Sequence, residues 1–511
     1  MSLDPSPLSP TPTPLLSPTD PVPSRGSAIL GAAISVALAL IIVFVATHFG
    51  TQLVFFPAGL KTKAAAIPIT RPFQIQGFDY NWTKSYGSGT GVGYDDATVA
   101  PVIFKSEAND FHMNLTVITI TLDQPKSDST ALTGNGGKGN VDTYDDTVYT
   151  ALVKQARDSG LTPAFKLRIR VTGETSGTWP GTIGGSWSTS DGTKIANERT
   201  WFDTYGALLA HYGQLATADN VPFFIIGSEL EHLTTDTADT GKGTPTDGET
   251  YTCTARRECE WRHMVSLMRT ASYKDYGGGQ QAGAKYTGKL IYEATYKIGE
   301  SNTLPNPEWK DITWWNAVDY IGISAFFPLL ASNAQSSTIA ISDAWKGLNT
   351  HAALDPKNTF SLIDAFRTLS AKTNRSIVFT SIGYDSALSA SSNPGAKGDG
   401  NPDQSEQLSA MTAAITTFTA ESWWLGAIWS YDYAVWPRSN LQKTIERTVA
   451  TSSSFFNDSR ESDLLTNTEW AGDCFIANAT QACPTTKTTA EKAAGLYLNQ
   501  TYQVKPIPPN I

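Results

Sequence analysis

The sequence has little of what nucleic-acid binding and metal binding require. Its 38 Lys and Arg residues are outnumbered by 48 Asp and Glu residues, and the net charge is -10. Because phosphate recognition depends on a basic surface, we expect no nucleic-acid partner. The sequence has no CxxC motif and no set of Cys and His residues at zinc-ligand spacing, so we expect no metal site and no cofactor.

Cysteine is also scarce. The chain contains only Cys253, Cys259, Cys474 and Cys483, which form two pairs close in sequence. Each pair could close a small loop as a disulfide, which would fit an oxidising compartment. Free buried thiols are the alternative.

The amino-terminal region contains one long apolar run. Residues 1–26 are rich in Pro, Ser and Thr and predict a disordered tail. Residues 28–49 are almost wholly apolar and long enough to cross a bilayer of ~30 Å, and no clear signal cleavage site follows. We therefore predict a single uncleaved transmembrane helix over 27–49, in contact with the lipid bilayer through 28–49, and a linker over 50–71. A buried helix of a soluble domain is the alternative.

The side of the membrane is indicated by possible modification sites. Asn-x-Ser/Thr triplets, which are acceptors for N-glycosylation in secreted proteins, begin at Asn81, Asn374, Asn457, Asn478 and Asn499. Together with the cysteine pairs, they favour a single-pass glycoprotein with an extracellular or lumenal body.

From residue 72 to residue 440, apolar strand-like runs alternate with helix-like segments. Eight strands are predicted at 74–80, 115–121, 163–171, 223–227, 289–293, 320–324, 377–381 and 427–431, and helices at 142–160, 201–216, 261–273, 362–373 and 405–421. Helical crossovers imply parallel pairing, and closing eight such units gives an α/β fold of the (β/α)8 barrel type. An open doubly wound sheet is the alternative. No GxGxxG or GxxxxGK(S/T) motif opens a helix, which disfavours nucleotide binding. Residues 441–511 form a less regular extension.

One stretch places a carboxylate where barrels perform chemistry. Residues 223–232 read FFIIGSELEH, an apolar run that stops at Gly227 and is followed by Glu229. A side chain just past the carboxyl end of a buried strand lies at the catalytic face of a (β/α)8 barrel. Taken alone, Glu229 is as well explained as a solvated loop residue.

Several motifs together resemble one family. They are GFDYNW (77–82), TWPGTI (178–183), IIGSEL (225–230), WWNAVDYIGISAFFPL (314–329) and FTSIGYDS (379–386). Their order and spacing resemble glycoside hydrolase family 113, whose members are barrel-fold endo-β-1,4-mannanases. The resemblance implies a retaining mechanism with two carboxylic acids, in which Glu229 is the acid/base and the nucleophile ends the seventh strand.

The chain departs from the family at the nucleophile. The family pattern F-T-E-I-G-Y reads FTSIGY here, so that Ser381 occupies the nucleophile position. A neutral hydroxyl cannot offer the negative charge that a carboxylate supplies to the transition state. The resemblance therefore implies impaired or altered hydrolysis of O-glycosyl bonds. Leu167 and Arg168 also replace the family's Pro-His pair.

Glu293 is a possible substitute carboxylate. On the fifth strand it should face the barrel interior, where Lys166 or Arg168 could be its partner. A structural ion pair is the favoured interpretation. We expect Asp79 to hold a loop.

Aromatic and polar residues near the strand ends predict a sugar-binding cleft. Trp82, Trp179 and Trp429 could stack on pyranose rings, although each is as readily explained as core. The resemblance adds Lys166 and Tyr384 as substrate-binding residues. We expect a barrel that binds or acts on β-linked polysaccharide or oligosaccharide. A catalytically inactive glycan-binding or structural protein of the cell surface is the alternative.

Overall fold

A computed structural model describes part of the 511-residue chain. The described residues are 73–80, 94, 97, 100–109, 111–134, 144–174, 178–187, 192–235, 253, 255–296, 307–331, 336–347, 361–384, 390–394, 404–430, 466–467 and 490–491. The predicted membrane anchor, Trp82, Cys474 and Cys483 lie outside them. Among the described residues, no helix combines the length and the apolar character needed to cross a bilayer.

Eight parallel strands form a closed barrel. The strands of the chain are β1 (Ile75–Tyr80), β2 (Leu115–Gln124), β3 (Thr162–Val171), β4 (Phe223–Ser228), β5 (Ser272–Lys274), β6 (Gln280–Ala282), β7 (Lys289–Ala294), β8 (Tyr320–Ser324), β9 (Ile377–Ile382), β10 (Trp424–Ser430), β11 (Thr466–Asn467) and β12 (Ala490–Glu491). The barrel has the order β1-β2-β3-β4-β7-β8-β9-β10, and β10 pairs with β1 to close it. The predicted (β/α)8 topology is confirmed, and the open sheet is excluded.

Helices connect the barrel strands. They are α1 (Ala100–Asn109), α2 (Asp146–Asp158), α3 (Gly192–Ala218), α4 (Glu231–Thr234), α5 (Arg256–Arg269), α6 (Glu308–Asp311), α7 (Thr338–Trp345), α8 (Leu362–Thr373) and α9 (Gln404–Phe418). The helix predicted over 261–273 ends earlier than expected. Residues 272–274 instead form β5, which pairs antiparallel with β6. β11 and β12 form a second antiparallel pair.

Two apolar clusters lie on opposite faces of the barrel strands. The smaller cluster comprises Ile75, Leu115, Val117, Ala164, Phe223, Ile225, Ile291, Val378, Leu425 and Ile428. The larger cluster contains most of the buried aromatic residues, including Trp261, whose ring stacks on that of Trp314 at 5.0 Å. Because side chains alternate along a strand, the smaller cluster fills the barrel interior and the larger one packs beneath the helices.

Candidate active site

The apolar filling of the barrel gives way to polar side chains near the carboxyl ends of the strands. Lys166 follows Ala164 by two residues on β3, and Glu293 follows Ile291 by two residues on β7. Residues two apart on a strand share a face, so both side chains point into the barrel. The interior therefore ends in a layer of charged groups at the face where barrel enzymes place their chemistry.

Lys166 lies at the centre of this layer. Its Nζ donates to Glu293 Oε2 at 3.0 Å, to Asp79 Oδ2 at 3.2 Å and to Ser381 Oγ at 2.9 Å. Glu293 Oε1 also accepts a hydrogen bond from Ser228 Oγ at 2.6 Å, and Asp79 Oδ1 accepts one from Thr119 Oγ1. The ion pair predicted between Glu293 and Lys166 is present. Asp79, expected to hold a loop, is instead part of the same network.

The network keeps Lys166 and Glu293 charged. Burial alone would lower the pKa of Lys166, but the charges of Asp79 and Glu293 raise it above the usual value. Burial alone would raise the pKa of Glu293, but Lys166 and the Ser228 hydroxyl hold it below the usual value. At neutral pH the layer therefore contains an ammonium ion and an ionised Glu293.

In this arrangement Lys166 cannot act as a base for Ser381. An ammonium ion can only donate, and Lys166 donates to the Ser381 hydroxyl oxygen. Nucleophilic catalysis by serine requires a neighbouring group that accepts the hydroxyl proton. Lys166 therefore does not activate Ser381 for attack.

Glu229 lies just beyond β4 in a strained backbone conformation. Its φ angle is 55°, in the left-handed region that costs a non-glycine residue about 1–3 kcal/mol. Its N–H donates to the Glu293 carbonyl at 2.8 Å, beyond a register shift between β4 and β7. The Glu229 side chain is half-buried, and Trp179 Nε1 donates to its Oε2 at 3.2 Å. Strain of this kind concentrates at functional sites.

Another carboxyl group, that of the fully buried Glu308, lies close to Glu229. Its Oε1 accepts hydrogen bonds from Tyr292 Oη at 2.6 Å and Thr234 Oγ1 at 2.7 Å, and its Oε2 accepts one from the Thr295 N–H at 2.6 Å. Burial raises the pKa of Glu308 to about 7, and the charge of Glu229 adds to the shift. The sequence does not indicate Glu308, because it lies outside the motifs that resemble the family and its donors come from α4 and from the end of β7.

The other predicted residues differ in exposure. Trp179 is half-buried at the start of a 3-10 turn, Pro180–Thr182, and its ring lies against Gly181. Arg168 is exposed on β3, two residues beyond Lys166. Trp429 on β10 is fully buried, and so is Tyr384, whose burial raises the pKa of its hydroxyl. The stacking role of Trp429 and the ligand contact of Tyr384 stay predictions.

One of the two predicted disulfides is present. Cys253 and Cys259 are bonded, with a Cα–Cα distance of 5.3 Å, and the bridge closes the chain onto the first turn of α5. The same turn carries Arg256 and Arg257, which form ion pairs with the buried Glu198 of α3.

A parallel barrel with half-buried and buried carboxylates at the carboxyl ends of its strands is an architecture typical of glycoside hydrolases. The sequence matches the profile of Glycoside Hydrolase Family 113 over residues 97–240 and 247–449, which is more than half of the chain. The chain therefore belongs to glycoside hydrolase family 113. A search of curated proteins found no match.

The chain is also similar to several solved structures. The chain is 17% identical to a family 113 β-1,4-mannanase, with 70% of this chain and 88% of that one covered and a TM-score of 0.47. It is 16% identical to the family 113 β-mannanase of Alicyclobacillus acidocaldarius, with coverages of 76% and 99% and a TM-score of 0.49. A fungal β-1,4-galactanase is 12% identical, with coverages of 71% and 90% and a TM-score of 0.38.

Proposed function

We propose that this barrel binds a β-linked polysaccharide, of which β-1,4-mannan is the first candidate, in a cleft at the carboxyl ends of its strands. Glu229 is the proton-donating group of that cleft, and hydrolysis by double displacement is impaired because Ser381 stands at the nucleophile position. Family membership supports the substrate class. The contact between Lys166 Nζ and Ser381 Oγ, at 2.9 Å, carries the proposal of impaired catalysis.

The chemistry follows from the charges. A retaining glycosidase needs a carboxylate that attacks the anomeric carbon, about 5–5.5 Å from the acid/base. Ser381 is a neutral hydroxyl that receives a hydrogen bond from an ammonium ion, so it cannot supply that negative charge. Glu229, in contrast, keeps a half-exposed carboxyl group with an indole N–H beside it. Binding by aromatic stacking and hydrogen bonding needs no second carboxylate, which favours glycan binding over rapid turnover.

A second candidate function is slow hydrolysis in which Glu293 replaces the missing carboxylate. One observation favours it: Glu293 stays ionised at the same end of the barrel. Its two oxygens, however, are bonded to Lys166 and Ser228. Attack by either oxygen would compete with the hydrogen bond that this oxygen accepts, so we expect this route to be slow.

We also propose that residues 27–49 anchor the protein in a membrane and that the barrel is extracellular or lumenal. The apolar run over 28–49 supports the anchor. The Cys253–Cys259 bridge supports an oxidising compartment. Alkaline extraction of membranes tests the anchor, because release of the full chain into the supernatant would contradict it.

The test of the main proposal uses the full chain in detergent. Calorimetric titration with a β-1,4-mannooligosaccharide should show binding, whereas a reducing-sugar assay on β-1,4-mannan should show little or no turnover. Ser381→Glu should raise turnover by at least about 100-fold, because it restores the second carboxylate. The matched control is the double variant Ser381→Glu, Glu229→Gln, which should be inactive. Absence of binding to β-mannan and β-glucan oligosaccharides, or rapid turnover by the wild type, would overturn the proposal.

A further inference from the structure

Glu308 joins the segments that follow two barrel strands. It is fully buried at the first position of α6. Its donors are Thr234 on α4, which follows β4, Tyr292 on β7, and the backbone N–H of Thr295, which follows β7. One carboxylate therefore accepts three hydrogen bonds and ties together the loop regions on both sides of the β4–β7 pair.

The link from Glu308 to Glu229 passes through a single hydroxyl group. Tyr292 Oη donates to Glu308 Oε1 and accepts from the N–H of Leu230 at 2.9 Å. Leu230 is the residue directly after Glu229. The N–H of Glu229 itself is bonded to the Glu293 carbonyl, so hydrogen bonds hold both consecutive amides at this left-handed position. Such a conformation persists only where the surroundings enforce it.

We propose that Glu308 is a positioning residue for Glu229, which acts through Tyr292 Oη on the Leu230 amide and through Thr234 on the first turn of α4. The inference rests on the proposed function in one respect, because it takes Glu229 as the proton donor. The hydrogen-bond chain itself is independent of the ligand. Glu308 does not reach the substrate, and its effect is on where the Glu229 carboxyl group points.

The hydrogen-bond pattern accommodates one proton on Glu308. In the ionised form, both Thr234 and Tyr292 donate to Oε1. In the neutral form, a proton on Oε1 can be donated to Thr234 Oγ1, whose own proton then turns to the Glu231 carbonyl at 3.1 Å. The bond from Tyr292 then has a neutral acceptor and is weaker. Protonation of Glu308 therefore loosens the link that fixes the Leu230 amide.

Glu308 gains and loses its proton near neutral pH. Glu229, beyond β4, and Tyr292, on β7, are titratable groups that face Glu308, and the pKa of Glu308 is raised to about 7 by burial and by the charge of Glu229. Tyr292 stays neutral, because burial and Glu308 raise the pKa of its hydroxyl. The position of Glu229 should consequently change with a midpoint near pH 7.

Trp179 offers a direct reporter of this change, because its indole N–H donates to Glu229 Oε2. The full chain is labelled with 5-fluorotryptophan in detergent, and the Trp179 signal is assigned as the 19F resonance that Trp179→Phe removes. In the wild type this resonance should shift with a midpoint near pH 7. In Glu308→Gln that step should be lost, since the glutamine amide does not titrate in this range. Tyr292→Phe should displace the resonance, since it removes the link alone.

The matched control is Glu107→Gln. Glu107 is also a buried carboxyl whose pKa burial raises, but it lies beside Thr116 at the amino end of β2. This variant should keep the wild-type Trp179 titration. A folded Glu308→Gln with the wild-type Trp179 titration would overturn the proposal, as would the same loss in Glu107→Gln. Failure of the proposed function would give a different result. Added mannooligosaccharide would then leave the Trp179 resonance unchanged at every pH, whether or not Glu308 positions Glu229.

Discussion

The two sides of the proposed cleft hold their charged groups differently. On one side, which we call the donor half (Trp179, Glu229, Tyr292 and Glu308), the half-exposed carboxyl group of Glu229 accepts a hydrogen bond from an indole. The backbone there is held by the N–H groups of Glu229 and Leu230, which donate to the Glu293 carbonyl and to Tyr292 Oη. On the other, which we call the lysine half (Asp79, Lys166, Glu293 and Ser381), buried charges are bonded to one another. The donor half therefore has a half-exposed carboxyl group at the proposed cleft, whereas the charges of the lysine half are paired with one another.

The difference shows how the barrel can hold a buried lysine beside a serine at position 381. A buried ammonium ion needs anionic partners, and its desolvation is costly without them. Asp79 and Glu293 both supply that charge, so a serine at position 381 does not leave Lys166 unpaired. The buried charge of Lys166 is therefore balanced without a carboxylate at position 381.

The largest effect is expected when the lysine half loses its cation. Lys166→Met preserves volume but leaves Asp79 and Glu293 buried without their partner, which should cost about 3–5 kcal/mol of unfolding free energy. Urea unfolding measures the change. Lys154→Met is the control, because Lys154 pairs with Asp158 on the surface and should change stability by less than about 1 kcal/mol. A loss no larger than that of the control would mean that the lysine half is not an ion network.

The two halves also differed in how far the sequence predicted them. Alternating apolar runs predicted all eight barrel strands, and β8 and α8 have the predicted bounds, because strand and helix periodicity are local properties. The Lys166–Glu293 ion pair could be predicted as well, since the alternation of side chains along a strand indicates which residues point into the barrel.

The support of the donor half could not be predicted in this way. Glu308 accepts hydrogen bonds from Thr234, Tyr292 and Thr295, and these contacts join α4, β7 and α6, which only the tertiary fold brings together. The end of α5 was missed for a local reason. The helical pattern was extended to Tyr273, although the Gly-rich segment 277–279 that follows is a turn signal for the β5–β6 hairpin.

The second prediction concerns the donor half and the dependence of stability on pH. The pKa of Glu308 is about 7 in the folded protein against 4.5 for the free side chain. Between these pH values the folded state binds the proton more tightly than the unfolded state, so this group lowers stability as the pH rises, by about 3 kcal/mol in all. Glu308→Gln should remove that part of the slope of unfolding free energy against pH. An unchanged slope in a folded Glu308→Gln would contradict this prediction.

The smallest effect is expected at the indole of Trp179. Trp179→Phe keeps an aromatic ring beside Gly181 but removes the N–H that donates to Glu229 Oε2. This bond lies within the protein and is worth about 1 kcal/mol, so its loss should weaken glycan affinity by no more than roughly fivefold, through the position of Glu229. Calorimetric titration with mannooligosaccharide should show that loss, whereas Trp179→Ala, which also removes the ring face, should weaken binding further. Equal affinities for the two variants would place the ring outside the glycan-binding cleft and restrict the role of Trp179 to holding Glu229.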